Sequence, residues 1–185
     1  MMALVLEESE EKMQQAYEAL KREFTRVRTG KASPALLDGI RVEYYGSQIP
    51  LRQVANISAP EPRLLVVQPW DRTALSAIEK AISKSEIGLH PLNDGAVIRL
   101  PIPKLTEERR KELVRHVRKL SEDVRVSVRN IRRGQIEELR KFEKSGDITE
   151  DDLHKGSDRI QEITDRHVAM IDDLMKAKER EVMEV

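Results

Sequence analysis

The sequence predicts an α+β protein in which an elongated three-helix bundle is interrupted by a small inserted β/α/β domain. Three long segments lack proline and repeat apolar residues every three or four positions, which is the spacing of one helix face. All eight prolines lie instead between residues 31 and 104, among short runs that are typical of strands. We therefore predict a bundle from residues 1–30 and 105–185, and an inserted α+β domain from residues 31–104.

The first helix is predicted over residues 4–28. Glutamates crowd its first turns and basic residues its last, as the helix dipole favours. We expect Gly30 to take the left-handed position that ends many helices. The apolar seam of this helix consists of Met13, Tyr17, Leu20, Phe24 and Val27.

The inserted domain alternates strand patterns with turn residues. Residues 40–45 and 47–49 flank Gly46 and predict a hairpin. A short helix is predicted over residues 71–85, with Asp71 or Thr73 as its cap, and Asn93-Asp94-Gly95 predicts a turn. Further strands are expected at residues 51–58, 63–68 and 96–100, of which the second is the most apolar and should be central.

Two long helices are predicted over residues 106–146 and 150–184. Thr106 is the expected cap of the first, Gly146 follows its last turn, and Thr149 with Asp152 forms a capping-box pattern for the second. The seam of the first consists of Leu113, Val117, Leu120, Val124, Val128 and Ile131, and that of the second of Ile160, Ile163, His167, Met170 or Ile171, Leu174 and Val182. Three helices with one apolar seam each bury those seams together, as a bundle.

Charge is distributed unevenly along a chain whose formal net charge is zero. Residues 104–133 carry 11 Lys/Arg and 5 Asp/Glu, a net +6, whereas residues 134–185 carry 9 and 15, a net −6. The absence of cysteine excludes disulfides and fits a reducing cytosol. No apolar run approaches the ~18 residues of a membrane span, and the first residues lack a signal-peptide pattern. We therefore expect a cytoplasmic protein without membrane contact.

A cationic stripe follows the long helix at alternating steps of four and three residues. It consists of Lys111, Arg115, Arg118, Glu122, Arg125, Arg129 and Arg132, six cations and one carboxylate. Like charges four residues apart oppose helix formation by about 0.2–0.5 kcal/mol per pair, so a purely structural role is unfavourable. Guanidinium groups concentrate at its end, together with Arg133, and bind phosphates bidentately. Because aromatic residues form only 3% of the chain, backbone contacts to folded RNA are favoured over base stacking.

No pattern in the chain predicts catalysis, a metal or a cofactor. The four histidines show no metal-ligand spacing, and His167 is expected in the core. Gly30-Lys31-Ala32-Ser33 lacks the frame of a phosphate-binding loop. The alternatives to RNA binding are a solvated charged face, or a coiled-coil adaptor that binds other proteins through its apolar seams.

The chain resembles a bacterial-type ribosome recycling factor along its whole length. The segments that carry the resemblance are residues 26–34 (RVRTGKASP), 37–39, 42–46 (VEYYG), 50–53, 101–111 (PIPKLTEERRK) and 128–133 (VRNIRR). The resemblance implies an L-shaped monomer that binds the RNA of the large ribosomal subunit through its bundle. It also implies that elongation factor G with GTP then splits the ribosome, releasing messenger and transfer RNA.

The same resemblance assigns roles to residues. Arg132 matches the arginine of the family that is most closely tied to ribosomal RNA. The full set of RNA-binding candidates is Arg110, Arg118, Arg125, Arg129, Arg132 and Arg133. The hinge candidates are Arg28, Thr29, Gly30, Lys31, Pro101, Pro103, Lys104, Leu105 and Thr106. The chain departs from the family at Gly134 and Gly156, and we expect each glycine to cost its helix about 1 kcal/mol relative to alanine.

Overall fold

The computed structural model describes residues 1–184, which divide into two compact units. One unit combines Met1–Arg28 with the chain from Thr106 onward, and the other spans Thr29–Leu105. The α-helices of the described residues are α1 (Met2–Arg26), α2 (Leu75–Lys84), α3 (Glu107–Lys144) and α4 (Glu150–Met183). The strands are β1 (Arg41–Tyr44), β2 (Ser47–Pro50), β3 (Ala55–Glu61), β4 (Leu64–Pro69), β5 (Leu92–Asn93) and β6 (Ile98–Pro101).

The first unit is the predicted three-helix bundle, in which α1, α3 and α4 each pack against the other two. Its buried apolar residues are Val5, Met13, Leu20, Phe24, Val27, Leu113, Val117, Val128, Leu139, Ile160, Ile171 and Val182. Ser9, Ser121 and Thr164 are also buried, and each hydroxyl donates to the carbonyl four residues earlier. These internal bonds remove the cost of burying a hydroxyl, so small polar residues fit between the helices.

The ends of the two long helices lie where the capping residues predict them. The Thr106 hydroxyl oxygen accepts the backbone N–H of Arg109 at 3.1 Å, and Gly146 has φ +81° just after α3. Thr149 and Asp152 exchange two hydrogen bonds of 3.0 and 3.1 Å as a capping box. Two side-chain caps and one glycine of positive φ therefore set these three helix ends.

The end of α1 differs from the prediction. The helix stops at Arg26, and Val27 is already extended, with φ −76° and ψ 115°. Val27 is only 9% exposed, so the chain leaves the helix while this side chain remains buried. Gly30 does have φ +78°, but it lies beyond the helix end and close to Leu105, whose Cγ would be 3.2 Å from an added Cβ. The assignment of Gly30 as the helix-ending residue was therefore wrong.

The second unit contains a hairpin and a four-stranded antiparallel sheet of order β3-β4-β6-β5. The predicted hairpin is confirmed: β1 pairs with β2, and Tyr45 and Gly46 between them both have positive φ, as a tight two-residue turn requires. Strand β4 is an interior strand, as its apolar sequence predicted. One core, built from the sheet, the hairpin and α2, contains among others Val42, Leu65 and Ile78.

Three segments of this unit differ from the prediction. Leu51–Gln53 forms a 3-10 turn, and β3 begins only at Ala55. The turn follows because the Leu51 N–H donates to the Ile40 carbonyl, while the Leu51 side chain is buried. Strand β5 was not predicted. A 3-10 turn that Asp71 caps precedes α2, which therefore starts at Leu75.

The two helical glycines occupy opposite environments. A Cβ added at Gly134 would have nothing within 4 Å. At Gly156, which is buried, an added Cβ would lie 2.7 Å from Leu139 Cδ1 and 3.1 Å from Met2 Sδ. At Gly156 the expected cost of about 1 kcal/mol in helix propensity is therefore opposed by packing, because the missing side chain leaves room for Leu139 and Met2.

Alanine substitutions should separate these two glycines. We expect Gly134→Ala to raise the free energy of unfolding by about 1 kcal/mol through helix propensity. Gly156→Ala should lower it by about 1–2 kcal/mol, because the displacement of the buried Leu139 side chain outweighs the same gain. Urea denaturation followed by circular dichroism measures both, and stabilisation by Gly156→Ala would contradict the close packing.

The turn between β5 and β6 should titrate at low pH. Backbone N–H groups of Val97 and Ala96, and then Arg99, lower the pKa of Asp94 from 3.8 to about 2. A depressed carboxyl pKa stabilises the fold above the unfolded value, and that contribution is lost as pH falls from about 4 towards about 2. The stability difference between the native chain and Asp94→Asn should therefore shrink across this range. A difference that is constant with pH would show that Asp94 does not titrate there.

Candidate nucleic-acid interface

The cationic stripe of α3 consists of two rows, each repeating at seven-residue intervals. The first, here the α4-side row, is Lys111, Arg118, Arg125 and Arg132, and the second, here the outer row, is Arg115, Glu122 and Arg129. At roughly 100° per residue, seven residues drift by only about 20° from two full turns. Each row therefore stays on one face of the helix.

The three arginines of the α4-side row donate hydrogen bonds to α4. Their acceptors are all oxygen atoms, but two belong to carboxylates and one to an amide. The pairs are Arg118 Nε with Glu179 Oε1 at 2.6 Å, Arg125 Nε with Asp172 Oδ1 at 2.7 Å, and Arg132 Nη1 with Gln161 Oε1 at 3.3 Å. The row thus faces the neighbouring helix, and α4 supplies the acceptors that its like charges need.

Arg125 is well enclosed, with a side chain that is 13% exposed. Besides Asp172 it contacts Glu122 at 2.9 Å and the sulfur of Met175 at 3.3 Å. Burial disfavours its charged form, but the hydrogen bonds to Asp172 and Glu122 outweigh burial and raise the pKa of the guanidinium. The charge of Arg125 is therefore compensated inside the bundle.

Arg118 is compensated in a different setting. Its side chain is 64% exposed, and its partner Glu179 is 20% exposed. The hydrogen bond to Glu179, followed by their charge attraction, raises the pKa of Arg118. Because water reaches this pair, a phosphate can approach Arg118 only in competition with a carboxylate that is already in place.

The outer row and Arg133 keep more of their positive charge available. Arg115 and Arg133 are exposed, and neither has an ion pair or hydrogen bond through its side chain among residues 1–184. Arg129 is 45% exposed and has a single, longer contact of 3.4 Å with Glu122. The structure therefore gathers Arg129, Arg132 and Arg133 at one end of the stripe, with guanidinium donors still free.

Arg110 does not join this group. It lies about 28 Å from Arg129 along the helix, taking 1.5 Å per residue. It is half-buried, and its Nε is enclosed without a hydrogen-bond partner among the described residues.

The hinge candidates divide between the two compact units. Arg28 and Thr106 belong to the bundle unit, whereas Thr29, Gly30, Lys31, Pro101, Pro103, Lys104 and Leu105 belong to the sheet unit.

The histidine expected in the core is there. His167 is fully buried, with Nδ1 2.8 Å from the Ile163 carbonyl and Nε2 3.2 Å from Gln14 Oε1.

Within residues 1–184, no three or more carboxylate or histidine side chains are grouped so that they could hold a metal ion. The same part of the chain contains no helix whose length and apolar content would allow it to cross a membrane.

The sequence did not predict a role for Gln161 at the candidate RNA-binding site. It is neutral, so it contributes nothing to a charge pattern, yet it is the residue of α4 that meets Arg132. Its own amide donates to Asp165 Oδ1 at 2.8 Å, one turn further along the helix. The four-residue spacing of Gln161 and Asp165 was the available signal, since such pairs interact along a helix.

Comparison with known proteins gives matches over nearly the whole chain. A family model described as ribosome recycling factor matches residues 20–183. The ribosome-recycling factor of Carboxydothermus hydrogenoformans is 53% identical over 181 residues, covering 98% of each chain. That of Bacillus pumilus is 54% identical over 181 residues, again covering 98% of each.

Two solved structures are similar in fold. A solution structure of the ribosome recycling factor has a TM-score of 0.78 and 44% identity, covering 100% of this chain and 98% of that one. A second, described as models for the T. thermophilus ribosome recycling factor and the E. coli elongation factor G bound to the E. coli post-termination complex, has a TM-score of 0.64 and 46% identity, covering 100% of both chains. The class that these matches define is a ribosome-associated translation factor. The chain belongs to the ribosome recycling factor family.

Two arginines of the stripe should differ in their effect on stability. Arg125→Ala is expected to lower the free energy of unfolding by about 1–3 kcal/mol, because Asp172 loses a charged hydrogen-bond donor. Arg133→Ala should change it by less than about 0.5 kcal/mol, because Arg133 is exposed. Urea denaturation of the two variants tests this difference, and equal stability would show that the Arg125 contacts contribute nothing to the bundle.

Proposed function

We propose that this chain recycles ribosomes. It binds the large subunit of the ribosome after termination through the arginines of α3. With elongation factor G and GTP it then separates the subunits, which releases messenger and transfer RNA for new initiation. Membership of the ribosome recycling factor family supports this proposal, as does the similarity to a factor described together with elongation factor G on a post-termination complex.

The observation that carries the proposal is the group of guanidinium donors at Arg129, Arg132 and Arg133. Arginines that lack carboxylate partners, or hold them weakly, are the ones that phosphates reach at least cost. Arg118 and Arg125 already donate to carboxylates of α4, so their main part in binding is to support the helix. We therefore place the proposed RNA contact at Arg129, Arg132 and Arg133. Exposed Arg115 is an additional cation on the outer row.

The hinge belongs to the same proposal. Two junctions connect the units, Arg28–Thr29 and Leu105–Thr106, and each is flanked by several of the hinge candidates. We propose that the sheet unit receives force from the GTPase and that these junctions transmit it to the RNA-anchored bundle. This chain performs no chemical step in that scheme and needs no cofactor, and it acts as a monomer in the cytoplasm.

A coiled-coil adaptor is less well supported. That function requires an apolar seam that is free to meet a partner helix. In the bundle unit, Leu113, Val117 and Val128 of α3 are all buried, and α3 packs against both α1 and α4. The seam of α3 is therefore already used within the chain.

Removal of the Arg132 side chain tests the RNA contact. We expect Arg132→Ala to weaken binding to large ribosomal subunits by roughly 10- to 100-fold, because a charge-assisted hydrogen bond to phosphate is lost. Its folding should be unaffected, since its bond to Gln161 is to a neutral amide. Pelleting with large subunits over a range of salt concentrations gives the affinity and its salt slope. Light scattering with elongation factor G and GTP reports subunit splitting.

Arg159→Ala is the matched control. It removes the same charge from α4, where Arg159 is 68% exposed and forms a local ion pair with Glu162. We expect its binding and splitting activity to equal those of the native chain. Native affinity in Arg132→Ala would refute the proposed RNA contact, and failure of the native chain to split subunits would refute the proposed function as a whole.

A further inference from the structure

A relay of two hydrogen bonds reaches Arg132 from α4. The Asp165 carboxylate accepts the side-chain amide N–H of Gln161 at 2.8 Å, and Gln161 Oε1 accepts Arg132 Nη1 at 3.3 Å. Gln161 thus uses its donor on one neighbour and its acceptor on the other, and only one orientation of the amide satisfies both. Through this relay, the position of Arg132 depends on a side chain of a different helix.

The acceptor on Arg132 differs in kind from those on the rest of its row. Arg118 and Arg125 meet carboxylates, which cancel their charge, whereas Arg132 meets a neutral amide. Among residues 1–184, Arg132 has no ion pair, so its full positive charge remains. A guanidinium carries five N–H donors, and Gln161 occupies one of them, which leaves the others for a phosphate.

We propose that Gln161 is a positioning residue that holds the Arg132 guanidinium ready for an RNA phosphate without neutralising it. This rests on the proposed function, because it assumes that Arg132 contacts ribosomal RNA. An unheld arginine loses rotamer freedom when it binds, at a cost of about 2- to 10-fold in affinity for each immobilised side chain. The hydrogen bond to Gln161 already restricts the rotamers of Arg132 in the folded protein. Less rotamer freedom is therefore lost when the ribosome binds.

The test measures the affinity of the 185-residue chain for large ribosomal subunits. Gln161→Ala should weaken binding by about 2- to 10-fold. The slope of log affinity against log salt should stay at the native value, because no phosphate-neutralising charge has been removed. Arg132→Ala, in contrast, should reduce both the affinity and the magnitude of the slope, the latter by roughly 0.7 to 1. A partly unfolded variant would also lose affinity at an unchanged slope, so thermal melting of each variant is needed to establish that the bundle is folded.

Two further variants distinguish positioning from other effects. Gln161→Glu should weaken binding and also reduce the salt slope, because a carboxylate would pair with Arg132 and cancel its charge. In the double variant Gln161→Ala/Arg132→Ala, the affinity should equal that of Arg132→Ala alone, because Gln161 acts only through Arg132. Gln15→Ala is the control. It removes an exposed glutamine of α1 whose side chain, among residues 1–184, bonds to Glu11 alone, and it should bind like the native chain.

The outcomes separate the two proposals. If Arg132→Ala binds like the native chain, the proposed RNA contact fails and the positioning role fails with it. If Arg132→Ala is weakened but Gln161→Ala is not, only the positioning role is overturned. Additive losses in the double variant would overturn it as well, since Gln161 would then act independently of Arg132.

Discussion

The contact between α4 and the arginine row of α3 determines which cations of the stripe are paired within the bundle. Arg118, Arg125 and Arg132 lie on one face, and each is three or four residues from an arginine of the outer row, so that like charges oppose the helix. Acceptors on α4 meet all three, at Glu179, Asp172 and Gln161. The packing of these two helices is therefore what makes a long, single-sign stripe compatible with a stable helix.

The same contact decides which charges remain available. Residues 104–133 carry a net +6 and residues 134–185 a net −6, so the two segments cancel in sum. The hydrogen-bonded carboxylates of α4, however, stand opposite the α4-side row and not opposite Arg129 or Arg133. Cancellation is local because an ion pair acts over a few ångströms, and charges further than about 10 Å apart in solution are largely screened. A protein of zero net charge can thus keep arginines such as Arg129 and Arg133 without a hydrogen-bonded carboxylate of α4.

Sequence reasoning worked where the determinant was local. Thr106, Thr149 and Gly146 fix helix ends through their own side chains or backbone, and the hairpin around Gly46 follows from turn geometry. It failed where the local structure depends on a residue that is distant in the sequence. At Gly156, helix propensity predicted a defect, but it could not predict that an added Cβ would lie 2.7 Å from Leu139 Cδ1. At residues 51–53, burial of Leu51 against the sheet core turned an expected strand into a turn.

The candidate site shows the same division between what is local and what is not. The periodicity of the stripe identified the helix face. It could not show that arginines of one seven-residue row would have different kinds of hydrogen-bond partner on α4. Arg125 and Arg132 belong to one row and have the same side chain. Two carboxylates hold Arg125, which fixes it as part of the bundle, whereas one amide holds Arg132 and leaves its charge in place. The two arginines differ because their partners on α4 differ. Neither the identity of the arginines nor their spacing in the sequence could therefore predict this difference. The function of a charged residue on a helix is therefore determined as much by the neutral or charged character of its neighbour as by its own.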